Sequence, residues 1–146
     1  MPPLLDLLAL VTTGLFAGAA LYITIVEHPA RVECGVPIAV AEFRPSYRRA
    51  AVLQASLALV GALAALGRWW ASGGRGWLVA GLLLGAVIPF TLVVVLPTNR
   101  RLLDGSLNTT SREAAVLLRR WGRLHAVRTV ASLVAFLILL WIVGRR

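Results

Sequence analysis

Four apolar blocks, each close to the length of a membrane-crossing helix, constrain this 146-residue chain more than any other feature. A helix needs about 20 apolar residues to cross the hydrocarbon core of a bilayer. Hydrophobic residues make up 59% of the chain, whereas a soluble domain averages about 45–50%. The excess is concentrated in the blocks, which predict helices at about 4–27, 47–67, 77–97 and 121–143. We therefore predict an all-α fold, an up-and-down bundle of four transmembrane helices.

The length of the chain and the spacing of the blocks predict one integral membrane domain, residues 1–146. On one side of the membrane the helices would be joined by loops at 29–46 and 98–120, the first of which holds three prolines. No basic residue precedes the first apolar block. We therefore expect that block to be a retained helix rather than a cleaved signal peptide.

The distribution of arginine predicts the orientation of the bundle. The net charge is +9, and all fifteen basic residues are arginine. Eleven of them lie within the predicted loops 29–46 and 98–120 or in the helix ends next to those loops: Arg31, Arg44, Arg48, Arg49, Arg100, Arg101, Arg112, Arg119, Arg120, Arg123 and Arg128. Because basic loops stay in the cytoplasm, we predict that both termini are non-cytoplasmic in a multi-pass protein of the cell (inner or plasma) membrane. Since the arginines border apolar blocks, their expected partner is membrane lipid and not nucleic acid.

Short matching stretches indicate that the second half of the chain resembles the first. His28-Pro29-Ala30-Arg31 ends the first block much as Leu96-Pro97-Thr98-Asn99-Arg100 ends the third. Tyr47-Arg48-Arg49 opens the second block much as Trp121-Gly122-Arg123 opens the fourth. A duplicated helical hairpin would produce these matches, and so would the common demands of membrane topology.

Most polar residues of the blocks are predicted to lie at one depth, near the cytoplasmic ends of the helices. Trp121, His125 and Arg128 are spaced at i, i+4 and i+7, so they share one helix face. At 3.6 residues per turn, His28 falls on the inward face of the first helix, whereas Glu27 points to the rim. The full set is Glu27, His28, Arg48, Arg49, Gln54, Asn99, Trp121, His125 and Arg128. Ionisable groups inside a membrane usually serve a function, so a site is predicted here.

Several of these residues also have a purely structural explanation. His28 and His125 could cap helices or anchor to headgroups, Arg128 could reach back to the interface, and Asn99 could cap the third helix. As chemistry, the two histidines could form a general base and its partner. They could also hold a metal, or a haem through both rings, but two histidines without an inward carboxylate suit zinc or iron poorly. The single cysteine, Cys34, excludes an internal disulfide.

Six stretches, in chain order, follow the pattern of a known family. They are Gly14-Leu15-Phe16-Ala17-Gly18 with Tyr22, Glu27-His28-Pro29-Ala30-Arg31, Glu33-Cys34-Gly35, Phe43-Arg44-Pro45-Ser46-Tyr47-Arg48-Arg49-Ala50, Leu96-Pro97-Thr98-Asn99, and Trp121 with His125 and Arg128. In these stretches the chain resembles small four-helix membrane proteins that include the fungal anthrone oxygenases and a bacterial branch of unknown function. The resemblance covers nearly the whole chain and implies the same four-helix fold.

The resemblance also implies an oxygenase without a cofactor, acting with dioxygen on a lipophilic aromatic or quinol-type substrate. The methylene group of an anthrone is acidic because its carbanion is an aromatic enolate, and that anion can itself reduce dioxygen. Such an enzyme needs a base, an oxyanion stabiliser and a dry pocket. The implied base is His28 or His125, the implied stabilisers are Arg128 and Asn99, and the implied substrate contacts are Trp121, Tyr22 and Gln54.

A second hypothesis is a non-catalytic membrane protein that binds lipid, quinone or haem, or that serves as a subunit of a larger complex. A transporter is less favoured, because four short helices with no charge at the midplane offer little to gate. The expected partners are membrane lipid and a small lipophilic aromatic compound, and a homo-oligomer remains open. The two main hypotheses share one fold and differ in whether dioxygen is consumed.

Overall fold

The computed structural model describes residues 2–145, with side chains from residue 4 onward. Met1 and Arg146, one of the arginines assigned to the non-cytoplasmic side, lie outside the described residues. The elements are α1 (Pro2–Tyr22), a π-helical segment (Ile23–Glu27), α2 (His28–Glu33), α3 (Val36–Ser72), α4 (Arg75–Phe90), a second π-helical segment (Thr91–Val95), α5 (Leu96–Leu103) and α6 (Arg112–Gly144). No strand occurs in this described part, so the all-α prediction is confirmed.

These elements form four spans, each long and apolar enough to cross a bilayer. α1 and α4 each continue through a π segment into α2 and α5, whereas α3 and α6 are spans by themselves. α1 packs against α3 and α6, and α4 packs against the same two helices, which is an up-and-down bundle. Large apolar side chains such as Leu15, Leu82 and Val93 are more than half exposed, as expected for a surface covered by lipid. The chain is therefore a multi-pass membrane protein, and the orientation of its termini stays a prediction.

The predicted loop at 29–46 was wrong, because this stretch is helical apart from a break at Cys34 and Gly35. Proline is tolerated in the first turn of a helix, where its missing N–H would have no partner. Pro37 lies in such a first turn, whereas Pro29 follows the π-helical segment within a continuous span and Pro45 lies inside α3. Gly35 has a φ of +94°, a conformation that favours glycine. The prolines therefore do not mark a loop here, and the break between α2 and α3 lies at Cys34 and Gly35.

The predicted loop at 98–120 was also too long. α5 continues to Leu103, and α6 begins at Arg112, well before the predicted start of the fourth helix at 121. The hydroxyl of Ser111 caps α6, since it accepts a hydrogen bond from the backbone N–H of Ala114 at 3.1 Å. A prediction from apolar content alone missed the first helical turns of α6, because they are amphipathic and rich in arginine.

Two π-helical segments interrupt the spans at matching places in the two halves of the chain. In each, the N–H of the residue that follows, His28 or Leu96, bonds to the carbonyl five residues back. A proline comes directly afterwards, at Pro29 or Pro97. A π segment places one extra residue in the helical turn, so the residues beyond it face other directions than a regular helix would give. The match supports the interpretation of a duplicated hairpin.

At Gly61, α3 meets both α1 and α4 without room for a side chain. A Cβ atom at this position would lie 2.6 Å from Cδ2 of Leu84 and 2.9 Å from the hydroxyl of Thr12. At Gly18 of α1, by contrast, no atom of the described residues lies within 4 Å of such a Cβ. The two glycines therefore form a matched pair for testing how tightly the bundle is packed.

We expect Gly61→Ala to destabilise the bundle by about 1–3 kcal/mol, because overpacking forces neighbouring side chains to shift. Gly18→Ala should be neutral or slightly stabilising, since alanine is the better helix former and has open space here. Thermal unfolding in one detergent, followed by circular dichroism, compares the two variants with the wild type. An unchanged melting temperature for Gly61→Ala would contradict this packing.

Candidate functional site

The half of the bundle that carries α2 and α5, here called the arginine-rich half, encloses a cavity of about 210 Å³. Its walls come from the first span, α3, the third span and α6. Most of the wall is apolar, and the polar groups that reach it include Arg31, Tyr47, Gln54, Trp121, His125 and Arg128. An apolar cavity with a few polar groups is typical of a small-molecule site.

His125 is a deeply buried imidazole in the wall of this cavity, with 1% of its surface exposed. Its Nδ1 lies 3.1 Å from the hydroxyl of Thr24. The same hydroxyl lies 2.9 Å from the carbonyl oxygen of Ala20, and when it donates its proton there it accepts from His125. In that arrangement Nδ1 carries the proton, and Nε2 is the basic nitrogen. The hydroxyl of Thr129, 2.8 Å from that of Thr24, completes the network.

Trp121 forms an aromatic wall beside His125. The two rings stack with their centroids 4.8 Å apart and an interplanar angle of 28°. Trp121 also meets the ring of Phe43 edge to face at 5.2 Å. The guanidinium of Arg31 lies 5.7 Å from the centre of the indole, a cation–π contact. Ring stacking and the hydrogen bond to Thr24 together fix the orientation of the His125 imidazole.

Arg128 brings a positive charge to the cavity without a carboxylate partner among the described residues. Its Nη2 donates to Oε1 of Gln54 at 2.8 Å, and its guanidinium lies 5.7 Å from the ring centre of Phe16. The residue is only 9% exposed. A buried cation is costly within a membrane, and an amide does not neutralise it. The cavity therefore favours a ligand that carries or develops negative charge.

His28 faces inward, toward α6, as the sequence predicted, but it lies outside the cavity wall. Its ring is 5.0 Å from that of Trp121, and its Nε2 would be 2.6 Å from a Cβ atom on Gly122. Glu27, which was predicted at the rim, lines the cavity instead. The sequence prediction assumed a regular helix and so did not place Glu27 on the cavity, since a π segment changes the directions in which its residues face. Both histidines thus contact Trp121, and only His125 lines the cavity.

Of the other predicted site residues, Gln54 and Trp121 line the cavity, whereas Asn99 and Tyr22 do not. Asn99 is fully buried, and its Nδ2 donates to the hydroxyl of Tyr47 at 3.0 Å. It does not cap the third span, because α5 continues beyond it. Tyr22 is 56% exposed on the outside of the bundle. Asn99 therefore positions a wall residue, and Tyr22 faces away from the site.

Arg31 is a cavity residue that the sequence did not identify as part of a site. Its guanidinium pairs with the carboxylates of Glu27 and Glu42, the latter at 2.7 Å. It also donates to the hydroxyl of Ser46 at 3.1 Å. Counting arginines as an orientation signal hid this role, because one sequence does not distinguish a buried, paired arginine from one at the rim. Thr24 was missed for a similar reason, since a threonine within an apolar block is unremarkable by itself.

The donor groups of the site suit a metal or a haem poorly. In the described part of the chain, no three His, Cys, Asp or Glu side chains come together. Nδ1 of His125 is bonded to Thr24, and Nε2 of His28 is packed against Gly122. Only His125 lines the cavity, so the two rings do not face a common space, as a haem held by both would require. Independence from a cofactor stays a prediction.

Comparison with known proteins matches the part of the chain that holds most of the cavity residues. The model of the anthrone oxygenase family matches residues 43–138, well over half of the chain. The matched range contains the cavity residues Phe43, Gln54, Trp121, His125 and Arg128. No curated protein and no solved structure matches the chain. The resemblance inferred from the sequence is confirmed, and the chain belongs to the anthrone oxygenase family.

Proposed function

We propose that this membrane protein oxidises a lipophilic aromatic substrate of the anthrone or quinol type with dioxygen, without a cofactor. The observation that carries the proposal is a buried base and a buried cation in one apolar cavity. His125 supplies the base, and Arg128, on the same helix face, supplies a charge that Gln54 does not neutralise. Membership of the anthrone oxygenase family favours the substrate class.

The first step is proton removal by His125. With an anthrone, Nε2 takes one proton of the methylene group, and the electron pair of that C–H bond moves into the ring system. The carbonyl oxygen becomes an enolate oxygen, and the central ring becomes aromatic. Arg128 stabilises this oxyanion through charge-assisted hydrogen bonds. The apolar cavity excludes water, which strengthens that interaction.

The second step needs no external reductant. The electron-rich anion transfers one electron to dioxygen, and the two radicals join in a new carbon–oxygen bond at the former methylene carbon. His125 returns its proton to the peroxide, and loss of water with the second methylene hydrogen leaves a carbonyl group. One anthrone and one dioxygen thus give one anthraquinone and one water, with atoms and electrons balanced.

The aromatic wall favours a flat substrate. Phe43 and Tyr47 stack with their centroids 5.4 Å apart and an interplanar angle of 14°, and both line the cavity beside Trp121. The hydrogen bond from Asn99 fixes the hydroxyl of Tyr47. Aromatic and apolar side chains bind ring systems by burial, while the few polar groups orient them. Asn99 therefore acts in this proposal as a positioning residue.

The protein in lipid nanodiscs should consume dioxygen with anthrone faster than anthrone autoxidises in empty nanodiscs, and should form one anthraquinone per dioxygen. Leu59→Ala serves as a matched variant, because Leu59 faces outward and should leave the rate unchanged. An oxygen electrode and chromatography of the product measure both quantities. Uptake at the autoxidation rate would overturn the proposal. If anthraquinone still bound under those conditions, a non-catalytic binding protein would become the better hypothesis.

A further inference from the structure

The boundary between α3 and α4 is closed in one half of the bundle. In the half nearer the turn at 73–74, Gly81 lies against Leu66, and Gly85 lies against Ala62. A small residue in each pair lets the two helices approach closely. The pairs also define the antiparallel register with which the two helices continue toward the cavity.

Beyond these contacts, both sides of the boundary line the cavity. The residues are Ala51 and Ala55 on α3, and Ile88 and Leu92 on the third span. Ala55 and Leu92 are also exposed on the outside of the bundle. Residues that line a cavity and are exposed on the outer surface as well mark an opening between the two. Alanine leaves this opening wide, because its side chain fills little of the gap.

The opening lies at the depth of the hydrocarbon core. Ala55 is six residues beyond Arg49, which corresponds to about 9 Å along a helix. Leu92 is eight residues before Arg100, which corresponds to about 12 Å. The exposed neighbour on α3, Val52, is apolar. The opening therefore faces lipid acyl chains rather than water or headgroups.

At the arginine-rich end, by contrast, an ion-paired side chain closes the cavity. Arg31 is 6% exposed and pairs with Glu27 and Glu42. Its guanidinium also lies 5.8 Å and 5.7 Å from the ring centres of Phe43 and Trp121. A neutral ligand arriving from this end would have to separate Arg31 from its two carboxylate partners. The boundary between α3 and the third span presents apolar side chains to such a ligand.

We propose that the opening at Ala51, Ala55, Ile88 and Leu92 is a lateral portal, through which a neutral, flat aromatic compound dissolved in the bilayer reaches the cavity. The identity of this ligand rests on the proposed function, and the route rests on the geometry of the opening. A compound that partitions into hydrocarbon meets the portal without returning to water. The portal therefore selects uncharged ring systems before the base acts on them.

The test measures binding of 9,10-anthraquinone to the protein in phosphatidylcholine nanodiscs, without any turnover. Anthraquinone in the cavity should quench the fluorescence of Trp121, and the signal is corrected with Trp121→Phe. In stopped-flow mixing, Ala55→Phe should slow both association and dissociation about tenfold, whereas a change that acts only on the cavity wall would alter mainly the dissociation rate. Leu92→Ala should speed both rates. Leu59→Phe places the same phenyl ring on the lipid-facing side of α3 outside the cavity, and should change neither rate.

Binding of Ala55→Phe at the wild-type rate would overturn the portal, as would the absence of Trp121 quenching by anthraquinone in the bilayer. Leu92→Ala covers the case in which Ala55→Phe fails to fold, because an unchanged rate in that wider variant also contradicts the route. The result is separable from the proposed chemistry. A protein that binds anthraquinone through the portal and consumes no dioxygen with anthrone would sustain this inference and overturn the proposed function.

Discussion

Replacing His125 with alanine should lower the kcat for dioxygen uptake with anthrone by about 10²- to 10⁴-fold, the range that a positioned general base contributes. The change removes the nitrogen that takes the methylene proton, and the apolar walls that bind the substrate remain. The bundle should stay folded, because the hydroxyl of Thr24 keeps its bonds to Ala20 and Thr129. Initial rates over a series of anthrone concentrations separate kcat from KM, and circular dichroism checks the fold.

Two further variants test whether the loss of activity is specific to His125 or shared by the residues around it. His28→Ala should retain most of the activity, because His28 touches the site only through Trp121. Thr24→Val should lose an intermediate amount, because it removes the acceptor that holds the proton on Nδ1 of His125. Equal losses for His28→Ala and His125→Ala would contradict the assignment of His125 as the base and would favour a role for both histidines.

The four-helix bundle could be predicted because a helix that crosses a bilayer requires a long run of apolar residues, which is easily seen in a sequence. About 20 apolar residues are needed for each span, and four such blocks leave little choice of fold. The connections were harder, because proline can begin a helix as well as end one. Pro37 begins a helix and Pro45 lies inside one, and Gly35, with its positive φ, marks the break between α2 and α3. Composition alone does not distinguish these cases.

The site could be predicted where the helix is regular and not where it is irregular. Trp121, His125 and Arg128 lie on an uninterrupted stretch of α6, so their spacing placed all three correctly on the cavity. Glu27 lies in a π segment and lines the cavity, a position that the spacing of a regular helix did not predict. No periodicity rule locates such a segment in a single sequence, although the proline that follows it is a clue.

Replacing Arg128 together with Gln54 should abolish most activity and yet stabilise the protein. Arg128→Met removes the cation proposed to stabilise the oxyanion, and loss of such a donor lowers kcat by about 10²- to 10³-fold. The same change removes a charge that costs about 2.5–3.5 kcal/mol within a membrane span. Methionine can keep the contact with Phe16, and Gln54→Leu removes the amide that would be left without its partner. The double variant should therefore melt at a higher temperature than the wild type.

The single variant Gln54→Leu should instead be less stable than the wild type and keep most of its activity. It leaves the guanidinium of Arg128 without the hydrogen bond that it now makes, and an unsatisfied buried group costs about 1–3 kcal/mol. Its activity should largely persist, because the charge at the cavity remains. Thermal unfolding and dioxygen uptake should thus separate: the double variant should be the most stable and the least active of the three proteins, and Gln54→Leu the least stable while keeping most of its activity, since a charge kept for function lowers the stability of the fold that holds it. If the double variant lost both stability and activity, Arg128 would be a structural anchor. The oxyanion role would then pass to Arg31, the other arginine on the cavity.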